Sequence, residues 1–201
     1  MTPTILAPRA ASIGRPVPAL LAALVAVVFT LSTPGLVRAW DDYAFSGAQE
    51  DLMIQLVNQA RASAGLPALK YDADLRSVAR WRSKDMYDRN YFSHDIPKPP
   101  GGKVFDELQR RGICYQVAGE NIGRNNYPDD VATQTMFNGW MNSSGHKAVI
   151  LGTGYKRIGV GAFKGIGSDY PMHYWTLVVI KPCATSPSPT ATPKATPKPT
   201  P

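Results

Sequence analysis

WMNSSGHKAVIL, residues Trp140 to Leu151, interrupts a helical pattern and places a histidine at the interruption. The ten residues up to it, Val131 to Trp140, read as a helix, with Val131, Thr135, Met136 and Trp140 near one apolar stripe. Asn142, Ser143, Ser144 and Gly145 favour turns and caps over a helix interior. His146 follows directly, and the short apolar run Ala148–Leu151 closes the segment. A helix that breaks, presents an imidazole and resumes can aim that imidazole into a cleft. The alternative is that Ser143 or Ser144 caps a new helical turn and His146 faces water.

Outward from this segment, both ends of the 201-residue chain fall outside the expected domain. Residues 1–39 contain Arg9, Arg15 and Arg38, no acidic residue, and the thirteen-residue apolar run Ala19–Leu31. A membrane-spanning helix needs about twenty such residues, so the run has the length of a signal-peptide core. Val37-Arg38-Ala39 offers small residues where a signal peptidase reads, which predicts a mature start at Trp40; an uncleaved N-terminal anchor is the alternative. Residues 184–201, ATSPSPTATPKATPKPTP, carry six prolines and nothing apolar larger than alanine, and are expected to form an extended, disordered tail. One domain is left, residues 40–183. The protein is expected to be secreted or associated with the cell envelope.

The net charge of +7 is misleading, because three arginines precede Trp40 and two lysines (Lys194, Lys198) lie in the tail. Of 22 basic residues, 17 remain in the domain against 15 acidic ones, and no basic stripe interleaved with aromatics appears. Nucleic-acid binding therefore has no support. Cys114 and Cys183 are the only cysteines, and an even pair in an exported chain points to a disulfide, two buried thiols being the other reading.

Within the domain, Gln49–Gly65 and the stretch from Asp72 or Asp74 to about Asn90 read as helices. Arg82 falls on the apolar stripe of the second and is expected to send its charge outward along its stem. Val104–Arg111 reads as a short helix, Ile113–Val117 as β-like, and Arg157–Phe163 and His173–Lys181 as two strands of a hairpin. Helices and antiparallel strands sharing one core predict an α+β fold. Trp40, Trp81, Trp140 and Trp175 fit core and rim packing better than a sugar platform.

Three ionisable residues stand out by setting: His94 after a helix, Glu120 between glycines in Gly119-Glu120-Asn121-Ile122-Gly123, and His146 at the break. His173, at the head of a strand, is expected to be ordinary surface. Ser143 and Ser144 are expected to lie too close to His146 in sequence to face it as nucleophiles. Five motifs in order, Asn58…Arg61, Ser93-His94, Gly119-Glu120-Asn121-Ile122, Trp140-Met141-Asn142-Ser143…Gly145-His146 and Tyr174-Trp175-Thr176, resemble the CAP superfamily, also called SCP-like, in its short bacterial branch. The resemblance covers about residues 50–181.

It implies a three-layer α-β-α sandwich with a mainly antiparallel sheet, and a central cavity in which His94, Glu120 and His146 converge. Ser143 stands where larger eukaryotic members carry a second glutamate, so one carboxylate is missing. Two imidazoles and a carboxylate would suit Zn2+, or another divalent cation, with an open position. His94, Glu120, His146 and Ser143 are thus the candidate ligand-binding residues, the first three the candidate metal ligands; no catalytic residue is assigned. The expected role is a monomeric module that binds a metal or a small-molecule, lipid or cell-wall ligand and meets the membrane only through an uncleaved signal or bound lipid. A metal-dependent hydrolase of extracellular polymer and an adhesive module with a purely structural cavity are the alternatives.

Overall fold

A computed structural model describes residues 40–167 and 170–184. The signal-peptide and tail assignments lie outside the described residues, apart from Ala184. In chain order the elements are β1 (Ala44–Phe45), α1 (Gly47–Ser63), β2 (Lys70–Tyr71), α2 (Ala73–Asp88), α3 (Val104–Arg110), β3 (Tyr115–Asn125), α4 (Asp129–Met141), α5 (Ser144–Ile150), β4 (Arg157–Ile166) and β5 (Pro171–Pro182). The strands form one sheet in the order β1-β4-β5-β3, with β2 also on β4; every pairing is antiparallel except β2 with β4.

Period-two alternation along β5 divides the core into two faces. Trp175, Leu177 and Val179 pack with Met53 and Val57 of α1, Met136 and Trp140 of α4, and Ile150 of α5. Val178 and Ile180 pack on the other face with Leu75, Val78 and Ala79 of α2 and Val104 and Leu108 of α3. The result is the expected α-β-α sandwich.

The second layer comes close because of two glycines. A Cβ on Gly159 would stand 2.2 Å from the backbone of Leu75 and Arg76, and one on Gly161 would stand 2.3 Å from that of Ala79 and Arg80. The RIGVGAF pattern therefore lets α2 lie directly on β4, where Ser83 Oγ bonds Gly161 O at 3.0 Å and Thr176 Oγ1 at 2.9 Å.

Two expected elements grow. The β-like stretch at Ile113–Val117 becomes an eleven-residue strand that runs through Glu120, because β3 pairs with β5 from Tyr115↔Pro182 to Asn125↔His173. The short apolar run that closes the opening segment belongs to a helix that starts at Ser144 with Ser143 as its N-cap, so His146 sits in the first turn of α5 and the break is confined to Asn142 and Ser143. Val131, placed on the apolar stripe of α4, is exposed; Ala132 and Thr133 take the inward positions beside Met136 and Trp140. Cys114 and Cys183 form the disulfide, joining the start of β3 to the end of β5. Closing that loop stabilises the fold by about 4 kcal/mol in the chain-entropy view.

Candidate functional site

Asn58 and Arg61, the first of the five motifs, are structural. Asn58 clamps Leu69 through both its backbone groups at 2.8 and 3.1 Å. Arg61 is buried and donates to Pro67 O at 2.9 Å, Ile150 O at 2.9 Å and Gly152 O at 2.8 Å. Those last two carbonyls belong to the C-terminal end of α5, so the guanidinium caps and holds the helix that carries His146.

At its other end, α5 is fixed by Asn121, whose Nδ2 donates to His146 O at 3.0 Å. Trp140 Nε1 donates to Ile122 O at 3.1 Å, which draws the C-terminal end of α4 onto β3. Ser143 is the N-cap of α5, yet its hydroxyl makes no cap bond and lies 2.8 Å from His146 Nδ1. The expectation that this serine cannot face His146 is thus wrong: N-cap and third helical residue are i, i+3 neighbours on one face. Serine-nucleophile chemistry would still need a group to orient the ring from Nε2, and no described residue hydrogen-bonds that atom.

Arg82 corrects another expectation. Its side chain is fully buried rather than sent to solvent, with Nε 3.2 Å from Glu120 Oε1 in an ion pair that lacks hydrogen-bond alignment. The same guanidinium donates to Tyr91 Oη at 2.6 Å and to Ser93 O. It therefore ties β3 and the turn before His94 to the middle of α2. The remaining oxygen of Glu120, Oε2, lies 2.6 Å from His94 Nδ1. A carboxylate can only accept, so Nδ1 carries the hydrogen, which in the neutral tautomer leaves the lone pair on Nε2.

His94, Ser143 and His146 line one groove of about 1040 Å³, walled by Phe92, Tyr127, Met136 and Trp140. Glu120 stands behind His94 rather than on the groove wall, its side chain 3% exposed. As a direct metal ligand it fits poorly, since Arg82 and His94 occupy its two oxygens. Among the described residues no cluster of three or more His, Cys, Asp or Glu has the geometry of a metal centre. The two imidazoles do fit as nitrogen donors, because neither Nε2 is engaged by a described residue. Burial, with a contribution from His94, holds the His146 ring below the usual imidazole pKa.

His173 is not surface. It is 1% exposed, with Nε2 2.8 Å from Asp129 Oδ1 and Nδ1 3.2 Å from Asn125 Oδ1. A charged residue on an otherwise apolar stripe was the signal for Arg82, since burial there demands a partner. Nothing local marks His173: its burial depends on Trp40, whose ring lies 4.7 Å away.

Residues 54–179 match the model of the CAP family, described as the cysteine-rich secretory protein family. The chain belongs to this family. Two Bacillus subtilis relatives of this CAP domain are the uncharacterized protein YkwD, 40% identical over 57% of the chain and 42% of YkwD, and the uncharacterized membrane protein YlbC, 37% identical over 56% and 31%. The chain spans less than half the length of these curated relatives. An extracellular SCP-domain protein from Bacillus anthracis has a solved structure 36% identical to it, with a TM-score of 0.54 over 66% of this chain and 40% of that one. An outer surface protein of Borrelia burgdorferi shares the fold at 15% identity, with a TM-score of 0.58 over 69% and 98%.

Proposed function

We propose that this protein is an exported CAP module that binds a small ligand at the cell envelope, with His94 and His146 as the recognising groups. One arrangement carries the reading. Two imidazoles from distant parts of the chain line the same groove, and each has its Nδ1 engaged on the protein side, by Glu120 at 2.6 Å and by Ser143 at 2.8 Å. Rings oriented in this way present Nε2 to whatever enters.

Two imidazoles suit a borderline cation such as Zn2+, held by His94 and His146 while Glu120 fixes the orientation of the His94 ring from behind. Bound there, the cation would supply a Lewis-acidic contact for an oxygen of the ligand. The apolar wall of Phe92, Met136 and Trp140 favours a ligand with a hydrocarbon or ring portion. Export is supported by the Ala19–Leu31 run together with the Cys114–Cys183 disulfide, which needs an oxidising compartment. Among the described residues no helix is long and apolar enough to cross a membrane.

Calorimetric titration of zinc into the wild-type protein and the His94→Ala, His146→Ala and Gln134→Ala variants tests the site, Gln134 being exposed on α4 outside the groove. The expected result is loss of binding for both histidine variants and none for Gln134→Ala; four identical isotherms would remove the imidazoles from the reading. Sedimentation with peptidoglycan and with phosphatidylcholine vesicles, with zinc or chelator, then identifies the ligand class. Release of soluble product would favour a hydrolase instead.

A further inference from the structure

The third histidine belongs to a charged cluster that the groove does not use. Asp129 lies at its centre: Oδ1 is 2.8 Å from His173 Nε2, and Oδ2 is 3.1 Å from Lys164 Nζ. Lys164 Nζ also pairs with Asp42 Oδ1 at 3.0 Å and donates to Trp40 O at 3.0 Å. The backbone nitrogen of Trp40 donates to Asp129 Oδ2 at 3.0 Å. Trp40 is held by its ring as well. Its Nε1 bonds Ala44 O at 3.0 Å, and the ring packs 5.3 Å from that of Trp175, leaving the residue 4% exposed.

Among the described residues, Lys164 and His173 are the basic groups that face the two carboxylates Asp42 and Asp129, and burial pushes the His173 pKa down while Asp129 pushes it up. Gln49, Thr133 and Asn125, which also belong to the cluster, are uncharged. The donor nearest Asp129 Oδ2 is the nitrogen of the residue expected to begin the mature chain.

We propose that the fold reads its own maturation: cleavage after Ala39 turns the Trp40 nitrogen into an α-ammonium that pairs with Asp129. Hydrolysis of the Ala39–Trp40 peptide bond consumes one water, leaves a carboxylate on Ala39 and a protonated amine on Trp40. The backbone N–H to carboxylate hydrogen bond becomes an ammonium–carboxylate ion pair, with both partners charged. The ammonium then joins Lys164 beside the Asp129 carboxylate. The Asp129 side chain is 22% exposed, so solvent screens part of the gain. The amine's pKa is raised in the folded protein, so the added stability is present at neutral pH and is lost as pH rises through the raised value. The inference rests on the export reading only for the position of the cleavage.

The test is a double-mutant cycle. One arm is the chain from Trp40 to Pro201, released scarlessly from a fusion, against the same chain with Gly-Ser ahead of Trp40. The other arm repeats the pair with Asp129→Asn. The extension is expected to raise the unfolding equilibrium constant about tenfold beside Asp129 and no more than about twofold beside Asn, as befits replacing an ammonium by an amide donor opposite a carboxylate. An equal effect in both backgrounds, or none, overturns the pair. If Asp129→Asn does not fold, the pH dependence of α-amine acylation in the Trp40-start protein decides. A value near the ordinary one of about 8 overturns the proposal, and a clearly higher one supports it. Terminal sequencing of the exported protein separates the two readings. A first residue other than Trp40 removes both the cleavage position and the pair, whereas a silent cycle with Trp40 confirmed removes only the pair.

Discussion

Glu120 joins a buried cation to a groove imidazole: Oε1 lies 3.2 Å from Arg82 Nε and Oε2 lies 2.6 Å from His94 Nδ1. Both partners of the ion pair are shielded from solvent, Arg82 at 0% and Glu120 at 3% side-chain exposure. Glu120→Ala would leave the guanidinium charge buried and uncompensated, a loss of about 3–5 kcal/mol. Glu120→Gln should fold better, because it keeps the shape and one acceptor for His94, but should still weaken zinc binding about tenfold by replacing the charged acceptor that orients that ring with a weaker neutral one. Urea denaturation and calorimetry check the two halves separately; a Glu120→Ala protein as stable as wild type would refute the ion pair as a structural element.

Ser143→Glu should strengthen zinc binding. The Ser143 hydroxyl already touches His146 Nδ1 on the groove wall, so a carboxylate there adds a negative oxygen donor to two nitrogen donors. Ser143→Ala should weaken binding mildly by freeing the ring to rotate. Titration of both variants against wild type reads the outcome, and a weaker Ser143→Glu isotherm would count against this geometry.

Stability should fall as pH drops from about 7 to about 5. In the folded state burial lowers the His173 pKa below the unfolded value of about 6.5, so the unfolded chain binds the proton first and acid favours it. The contribution is present above the unfolded value and lost below it, at up to about 1.4 kcal/mol per pH unit. His173→Gln, which cannot titrate, should reduce the slope in this window, with His146, whose pKa burial also lowers, supplying the remainder. Asp129 is not its source. Burial raises that carboxyl's pKa, but bonds from His173, Lys164 and Trp40 outweigh burial and lower it, so its loss belongs below pH about 4. Unfolding curves at four pH values distinguish the two.

The same glycine-to-alanine change should have opposite effects at two positions. At Gly161 the new methyl would meet the α2 backbone at 2.3 Å, and the layers must separate at a cost of at least about 1–3 kcal/mol. At Gly145, in the first turn of α5, a Cβ meets nothing within 4 Å, and helix propensity predicts a gain of up to about 1 kcal/mol. Thermal melts of the two variants test both signs.

The amino-acid order by itself determined much of this protein, because much of it is local. Helical periods, the β4–β5 hairpin, the α+β class and the nomination of His94, Glu120 and His146 all follow from patterns a few residues long. The cysteine pair could be read as a disulfide from its number and the expected compartment alone. Partner choice across the sheet is different, because it depends on which faces are brought together. Arg82 is inward because β3 offers it Glu120, and His173 is core because Trp40 covers it. Glu120 is withdrawn from the groove because the turn at Ser93 and the body of α2 hold Arg82 against it. A charge can enter the interior only where a distant segment supplies its counter-charge, and which segment arrives there is decided by tertiary packing alone.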